Sequence, residues 1–127
     1  RSIEKVGLMP EDYFLYYEEI DWSMMYTKSG YEIWYDPACT IYHKESQSTG
    51  QDSPLRTYYI TRNRLLLVKR NWHGLYKYLA YCYLTCIVAP RNVLKYALKC
   101  KKDHLKAVIN GIYDFGMAKY SSINYKQ

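Results

Sequence analysis

Residues 53–71, SPLRTYYITRNRLLLVKRN, constrain this chain more than any other stretch. Proline fixes φ and lacks an N–H, so it is tolerated in a helix only at the first turn. Pro54 therefore reads as the first helical residue, with Asp52 or Ser53 as the N-cap. The run that follows continues to Asn71 for about five turns. Ahead of this boundary the chain reads as short, turn-rich elements; after it, residues 53–115 read as mostly helix.

Two further helical stretches follow. Gly74 opens GLYKYLAYCYLTCIVA, which Pro90 should end. Lys77 interrupts its start, and the uninterrupted part falls short of the roughly 18 residues a spanning helix needs. A third helix is expected over about 91–115. Arg91, Lys95, Lys99, Lys102 and Lys106 recur on it at three-to-four spacing, as one basic stripe. Leu94, Leu98, Leu105, Ile109 and Ile112 form an adjacent apolar stripe, with Lys101 falling inside it.

Before Pro54, residues 1–6 read as the end of a helix stopped by Gly7. Met9 to Asp12 reads as a turn, and Tyr13 to Tyr17 as a short, buried aromatic run. Residues 18–29 fit a helix with Glu18, Glu19 and Asp21 in its first turn, where the macrodipole favours negative charge. Gly30 marks its stop. Tyr31 to Tyr35 alternates like a strand, Asp36-Pro37 breaks it, and Thr40 to His43 reads as a second short strand. Residues 46–54 read as a loop.

Charge divides along the same boundary. Residues 1–52 hold ten acidic and four basic side chains, net −6; residues 53–127 hold two acidic and fourteen basic, net +12. An acidic, site-bearing part precedes a basic tail suited to an anionic partner. Cys39, Cys82, Cys86 and Cys100 lack the paired spacing of a zinc site and read as reduced, semi-buried thiols in a cytosolic setting. His73 and His104 carry no motif context. The opening residues, already helical at Arg1, read as a piece cut from a longer protein.

The stretch VGLMPEDYFLYYEEIDWSMMYTKSGYEIWYDPACTIYHKES, followed by SPLRTYYITRNRLLLVKRN, resembles the C-terminal part of family-2 inverting glycosyltransferases of the GT-A fold. The likeness is to the rhamnosyltransferase-like branch of bacterial surface-polysaccharide assembly, and covers roughly residues 5–72. It implies an α+β, mainly helical architecture. Residues 1–52 would be the incomplete, acceptor-side end of a GT-A domain with a small sheet, and residues 53–127 a basic helical tail.

The resemblance also implies roles. Inverting transfer needs a carboxylate to take the acceptor hydroxyl's proton as it attacks the anomeric carbon. The family's acidic pair falls on Glu18-Glu19, which puts the base at Glu19, with Glu where the family has Asp. Asp21 matches the acid that follows, which supports the site or the acceptor. His43 matches a histidine that completes the shell of a divalent metal, Mg or Mn, and the metal stabilises the departing nucleoside diphosphate. Arg62 or Arg64 would reach that diphosphate, or both form a solvated helix face. Tyr16, Tyr17 and Trp22 would stack on sugar rings or fill an aromatic core. No Asp-x-Asp motif occurs, so the chain would hold the acceptor side of a site without the donor side.

The partners implied are a nucleotide sugar donor and a glycan or lipid-linked acceptor. The setting implied is the bacterial cytoplasm, peripheral to the inner face of the membrane. Apolar surface meant for the donor side would favour self-association. The rival reading is a non-catalytic module whose basic tail docks on an anionic membrane surface or a partner. Nucleic acid is disfavoured, because the tail lacks a recognisable motif and its acidic neighbour repels phosphates.

Overall fold

The structure, a computed structural model, describes residues 2–40 and 52–118. Its elements are α1 (Ser2–Val6), a 3-10 turn (Glu11–Tyr13), α2 (Glu18–Lys28), α3 (Pro54–Asn71) and α4 (Gly74–Tyr83). A π-helical turn (Leu84–Val88), α5 (Ala89–Leu98) and α6 (Lys102–Gly116) complete them.

α3 is the central element. Its cap forms as the sequence requires: the Ser53 hydroxyl accepts from the Arg56 backbone N–H at 3.1 Å, and Pro54 starts the first turn. One face of α3 packs on α6. There Gly111 meets the backbone of α3: a Cβ at this position would lie 2.9 Å from the Tyr58 carbonyl oxygen and 3.1 Å from the Thr61 Cβ. With Ala107 and Val108 fully buried one turn earlier, small side chains let the two helices approach closely. The contact is tied by the Tyr58 hydroxyl, which donates to Asp114 Oδ2 at 2.8 Å. Burial, and next this bond, push the Tyr58 phenol up to about 12, so it keeps its proton as donor.

The expected small sheet is absent: no strand occurs among the described residues. Tyr31 to Tyr35 has the alternation of a strand but finds no ladder partner. Unpaired backbone is stable only where water satisfies it, and this segment is open to solvent, with Trp34 83% and Tyr35 88% exposed. The α+β expectation is therefore corrected to a helical arrangement; the second expected strand, Thr40 to His43, lies almost wholly outside the described residues.

Two helix boundaries also differ. Pro90 does not end the second helical stretch. Proline clashes with the carbonyl four residues earlier, and the π-helical turn just before it widens the helix, so the chain continues into α5 with Pro90 in its first turn. The expected single helix over 91–115 is instead two, α5 and α6, which pack on each other. Cys100 takes φ 51°, the Lys101 N–H donates to the Tyr96 carbonyl at 3.0 Å, and the Cys100 N–H to that of Ala97 at 3.0 Å. This is a Schellman stop built on a non-glycine residue. The basic and apolar stripes read from the sequence are broken there. The four cysteines are free and exposed, not semi-buried.

Candidate functional site

The first-turn carboxylates of α2 are presented by an unusual backbone. Phe14, Tyr16 and Tyr17 have φ of 64°, 66° and 78°. Left-handed geometry costs a non-glycine residue of order 1–3 kcal/mol, so it persists only where neighbours enforce it. α3 enforces it from below. Asn63 Nδ2 donates to the carbonyls of Tyr13, Leu15 and Tyr16 at 3.0, 2.6 and 2.9 Å. Arg62 donates through one terminal nitrogen to the carbonyls of Asp12 and Tyr13 at 2.9 and 2.8 Å, and through Nε to Asn63 Oδ1 at 2.9 Å.

Arg62 is 0% exposed and has no carboxylate partner among the described residues. The carbonyls and the Tyr58 and Tyr59 rings, 5.7 and 4.9 Å from the guanidinium carbon, take the place of water around part of its charge, while its other terminal nitrogen is enclosed without a hydrogen bond. It therefore offers no face to a diphosphate and is not part of a solvated helix face either. Arg64 is half-buried, and its Nε donates to the Tyr17 hydroxyl at 2.6 Å.

Two turns further along α3, a second Arg-Asn pair repeats the grip. Arg70 Nε donates to Asp21 Oδ2 at 2.6 Å, and Asn71 Nδ2 to Asp21 Oδ1. Arg70 also reaches Asp12 Oδ2 at 3.1 Å, and Lys28 donates to Asn71 Oδ1 at 2.6 Å. Asp21 is 1% exposed, so it anchors α2 to α3 and does not face solvent. Tyr13 is enclosed beside it; burial, then the Asp21 charge, raise the Tyr13 phenol well above its usual range.

Glu18 and Glu19 lie above these anchors. Glu18 is half-buried, one of its carboxylate oxygens is enclosed without a hydrogen bond, and it borders an open groove with Leu8, Met9, Pro10, Glu11 and Phe14. Loss of solvent, and to a lesser degree the charge of Glu19, raise its pKa against the lowering effect of a backbone N–H. Glu19 is exposed, and no side-chain partner for it occurs among the described residues. Trp22 donates to the Gly7 carbonyl at 3.1 Å and packs edge-on against Tyr26, while Tyr16 packs on the core beside Tyr58 and Tyr59. These aromatics, like Tyr17, are held by protein contacts.

His43 lies outside the described residues. Among those described, no group of three or more His, Cys, Asp or Glu side chains is arranged to hold a metal ion. Asn63, Arg70 and Asn71 are the positioning residues that reading the sequence alone passed over. Their signal is the dipeptide Arg-Asn recurring at 62–63 and 70–71, eight residues apart and so on neighbouring faces of one helix. The chain matches no protein-family model, no curated protein and no solved structure.

Proposed function

We propose that this chain is the acceptor-side portion of a family-2 inverting glycosyltransferase, which moves a sugar from a nucleotide sugar to a bacterial glycan or lipid-linked acceptor. One observation carries the reading: a strained aromatic segment, clamped by Arg62 and Asn63, ends at a helix start where Glu19 is exposed and has no side-chain partner among the described residues. Strain held in place by a buried polar network is characteristic of functional sites, because a surface loop without a task relaxes.

In this reading Glu19 accepts the proton of the acceptor hydroxyl while that oxygen forms its bond to the anomeric carbon. The bond from that carbon to the nucleoside diphosphate breaks on the opposite face, which inverts the configuration. Glu18 lines the groove where the acceptor lies, and loss of solvent, with the charge of Glu19 as a lesser cause, raises its own proton affinity. Asp21 is a positioning residue, holding the first turn of α2 at a fixed height over α3. A divalent metal, when bound, would stabilise the leaving diphosphate; the described residues do not supply a set of ligands for it, and no step here is routed through it.

The test is Glu19→Gln in the whole protein, assayed for sugar transfer and for binding of the nucleotide sugar. Loss of a general base lowers turnover by ~10²–10⁴-fold, with donor affinity unchanged. Normal turnover in this variant would remove Glu19 from the chemistry.

A further inference from the structure

A run of exposed apolar side chains extends along α4, the π-helical turn and α5. Leu84, Val88, Ala89 and Asn92 turn inward and line a small cavity with Thr61, Arg64 and Leu65 of α3. The opposite side is open: Leu75 is 70% exposed and Leu98 77%, with Leu79, Tyr83, Ile87 and Leu94 between them. An uninterrupted α-helix would let this stripe drift round the axis. The π-helical turn takes up an extra residue, and the exposed apolar side chains continue from α4 into α5 along a length of about 37 Å.

The charges carried by this stretch itself are of one sign; Asp52, outside it, is ion-paired to Lys101 and lies within electrostatic reach of Lys99. Residues 78–90 contain no charged side chain, and residues 53–102 contain eleven Lys or Arg and no Asp or Glu. Arg91, Lys95 and Lys99 flank the apolar stripe on α5 and are exposed. Tyr76, Tyr78 and Tyr83 give the face aromatic bodies with polar tips, which suits the depth of lipid headgroups. A nucleic acid would meet an apolar centre instead of a basic one. A typical protein partner would leave the one-signed flanks unpaired. No helix among the described residues is long and apolar enough to cross a membrane.

We propose that the α4–α5 face lies in the plane of an anionic lipid surface, its apolar stripe in the headgroup–acyl boundary and Arg91, Lys95 and Lys99 on lipid phosphates. This assignment is independent of the transfer chemistry and narrows the membrane-docking element from the whole basic tail to residues 74–98.

Cys82 and Cys86 lie on the exposed side of this stretch, and Cys39 lies far from it in sequence. A chain with Cys39, Cys86 and Cys100 changed to Ser carries a polarity-sensitive fluorophore on Cys82 alone; a second carries it on Cys39 alone. Each is mixed with vesicles of phosphatidylcholine, with or without one third phosphatidylglycerol. The expected result is a blue shift from Cys82 with the anionic vesicles only, reversed by high salt, and no shift from Cys39. Arg91→Gln, Lys95→Gln and Lys99→Gln together should weaken binding at least about tenfold while leaving the circular-dichroism spectrum unchanged. Leu79→Asp with Leu94→Asp, both at exposed positions, should abolish the shift. No shift, an equal shift with neutral vesicles that salt does not reverse, or an equal shift from Cys39 overturns the proposal. So does a shift that appears with protein concentration in the absence of lipid, which would assign the face to a second copy of the chain.

Discussion

Arg70 Nε lies 2.6 Å from Asp21 Oδ2 across 49 residues of sequence, and Asp21 is almost wholly enclosed at that contact. An asparagine at position 21 keeps one acceptor oxygen, sets an NH2 against the other donor, and leaves Arg70 with the exposed Asp12 as its one carboxylate partner among the described residues. Breaking a buried pair costs about 3–5 kcal/mol, toward the lower end here because Arg70 is partly solvated. Asp21→Asn should therefore lower the urea midpoint substantially. Glu19→Gln, at an exposed position, should leave that midpoint unchanged. Equal midpoints for the two variants would show that the anchor is not where the stability resides.

Glu18 predicts a pH effect of opposite sign to the usual carboxylate. Its folded-state pKa is raised, chiefly by burial, so the folded chain holds the proton more tightly than the unfolded one. The stabilising contribution is complete below the ordinary carboxylate range. It is lost as pH rises through that range to the raised value, and stays lost at neutral pH. Glu18→Gln should accordingly be more stable than the parent chain at neutral pH, and the difference should close in acid. Urea titrations on both sides of the carboxylate range read this directly; a variant less stable at neutral pH contradicts it.

Gly111 and Gly116 make a matched pair on α6. A Cβ at Gly111 would press on the Tyr58 carbonyl, whereas one at Gly116 meets nothing within 4 Å. Gly111→Ala should destabilise by roughly 1–3 kcal/mol through overpacking of rigid backbone. Gly116→Ala should be neutral or stabilise by up to about 1 kcal/mol through helix propensity. Thermal melts of the two variants, shifting in opposite directions, would verify the close approach of α3 and α6.

The helix stops show what the sequence makes legible. Gly30, at φ 83°, ends α2 with Tyr31 N–H on the Tyr26 carbonyl and the two rings 5.7 Å apart, as its glycine announces. Ser53-Pro54 and Gly7 are legible for the same reason, since their local chemistry admits one backbone geometry. Cys100 forms the same stop as Gly30 without a glycine, so no local signal marks it. Pro90 misleads in the other direction, because a π-helical turn accommodates it. Tyr31 to Tyr35 has a strand's alternation, but pairing is decided elsewhere in the chain. At the site, Glu18 and Glu19 are visible as an acidic helix start. That Asp21 is an anchor and Arg62 a buried cation depends on contacts across about fifty residues, which periodicity does not encode.

The left-handed Cys100 carries its own test. An L-residue there bears a cost of order 1–2 kcal/mol that glycine avoids, offset in part by glycine's greater freedom when unfolded. Cys100→Gly should raise stability by about 0.5–1 kcal/mol, and Cys100→Val should lower it. A loss of stability on introducing glycine would show that the turn between α5 and α6 is set by another contact.

The clamps on the carboxylate segment come from residues 62, 63, 70 and 71, far downstream of the segment they hold. This imposes an order on biogenesis. During synthesis residues 11–21 leave the ribosome first, yet their strained backbone has nothing to hold it until α3 has emerged through Asn71. Closing a loop of about fifty residues must then precede the contacts by which α3 clamps the segment. A nascent chain stalled before Asn71 would present these aromatics to chaperones and proteases in a relaxed form, and protection of Tyr13 to Tyr17 from cleavage should appear in one step, with the completion of α3.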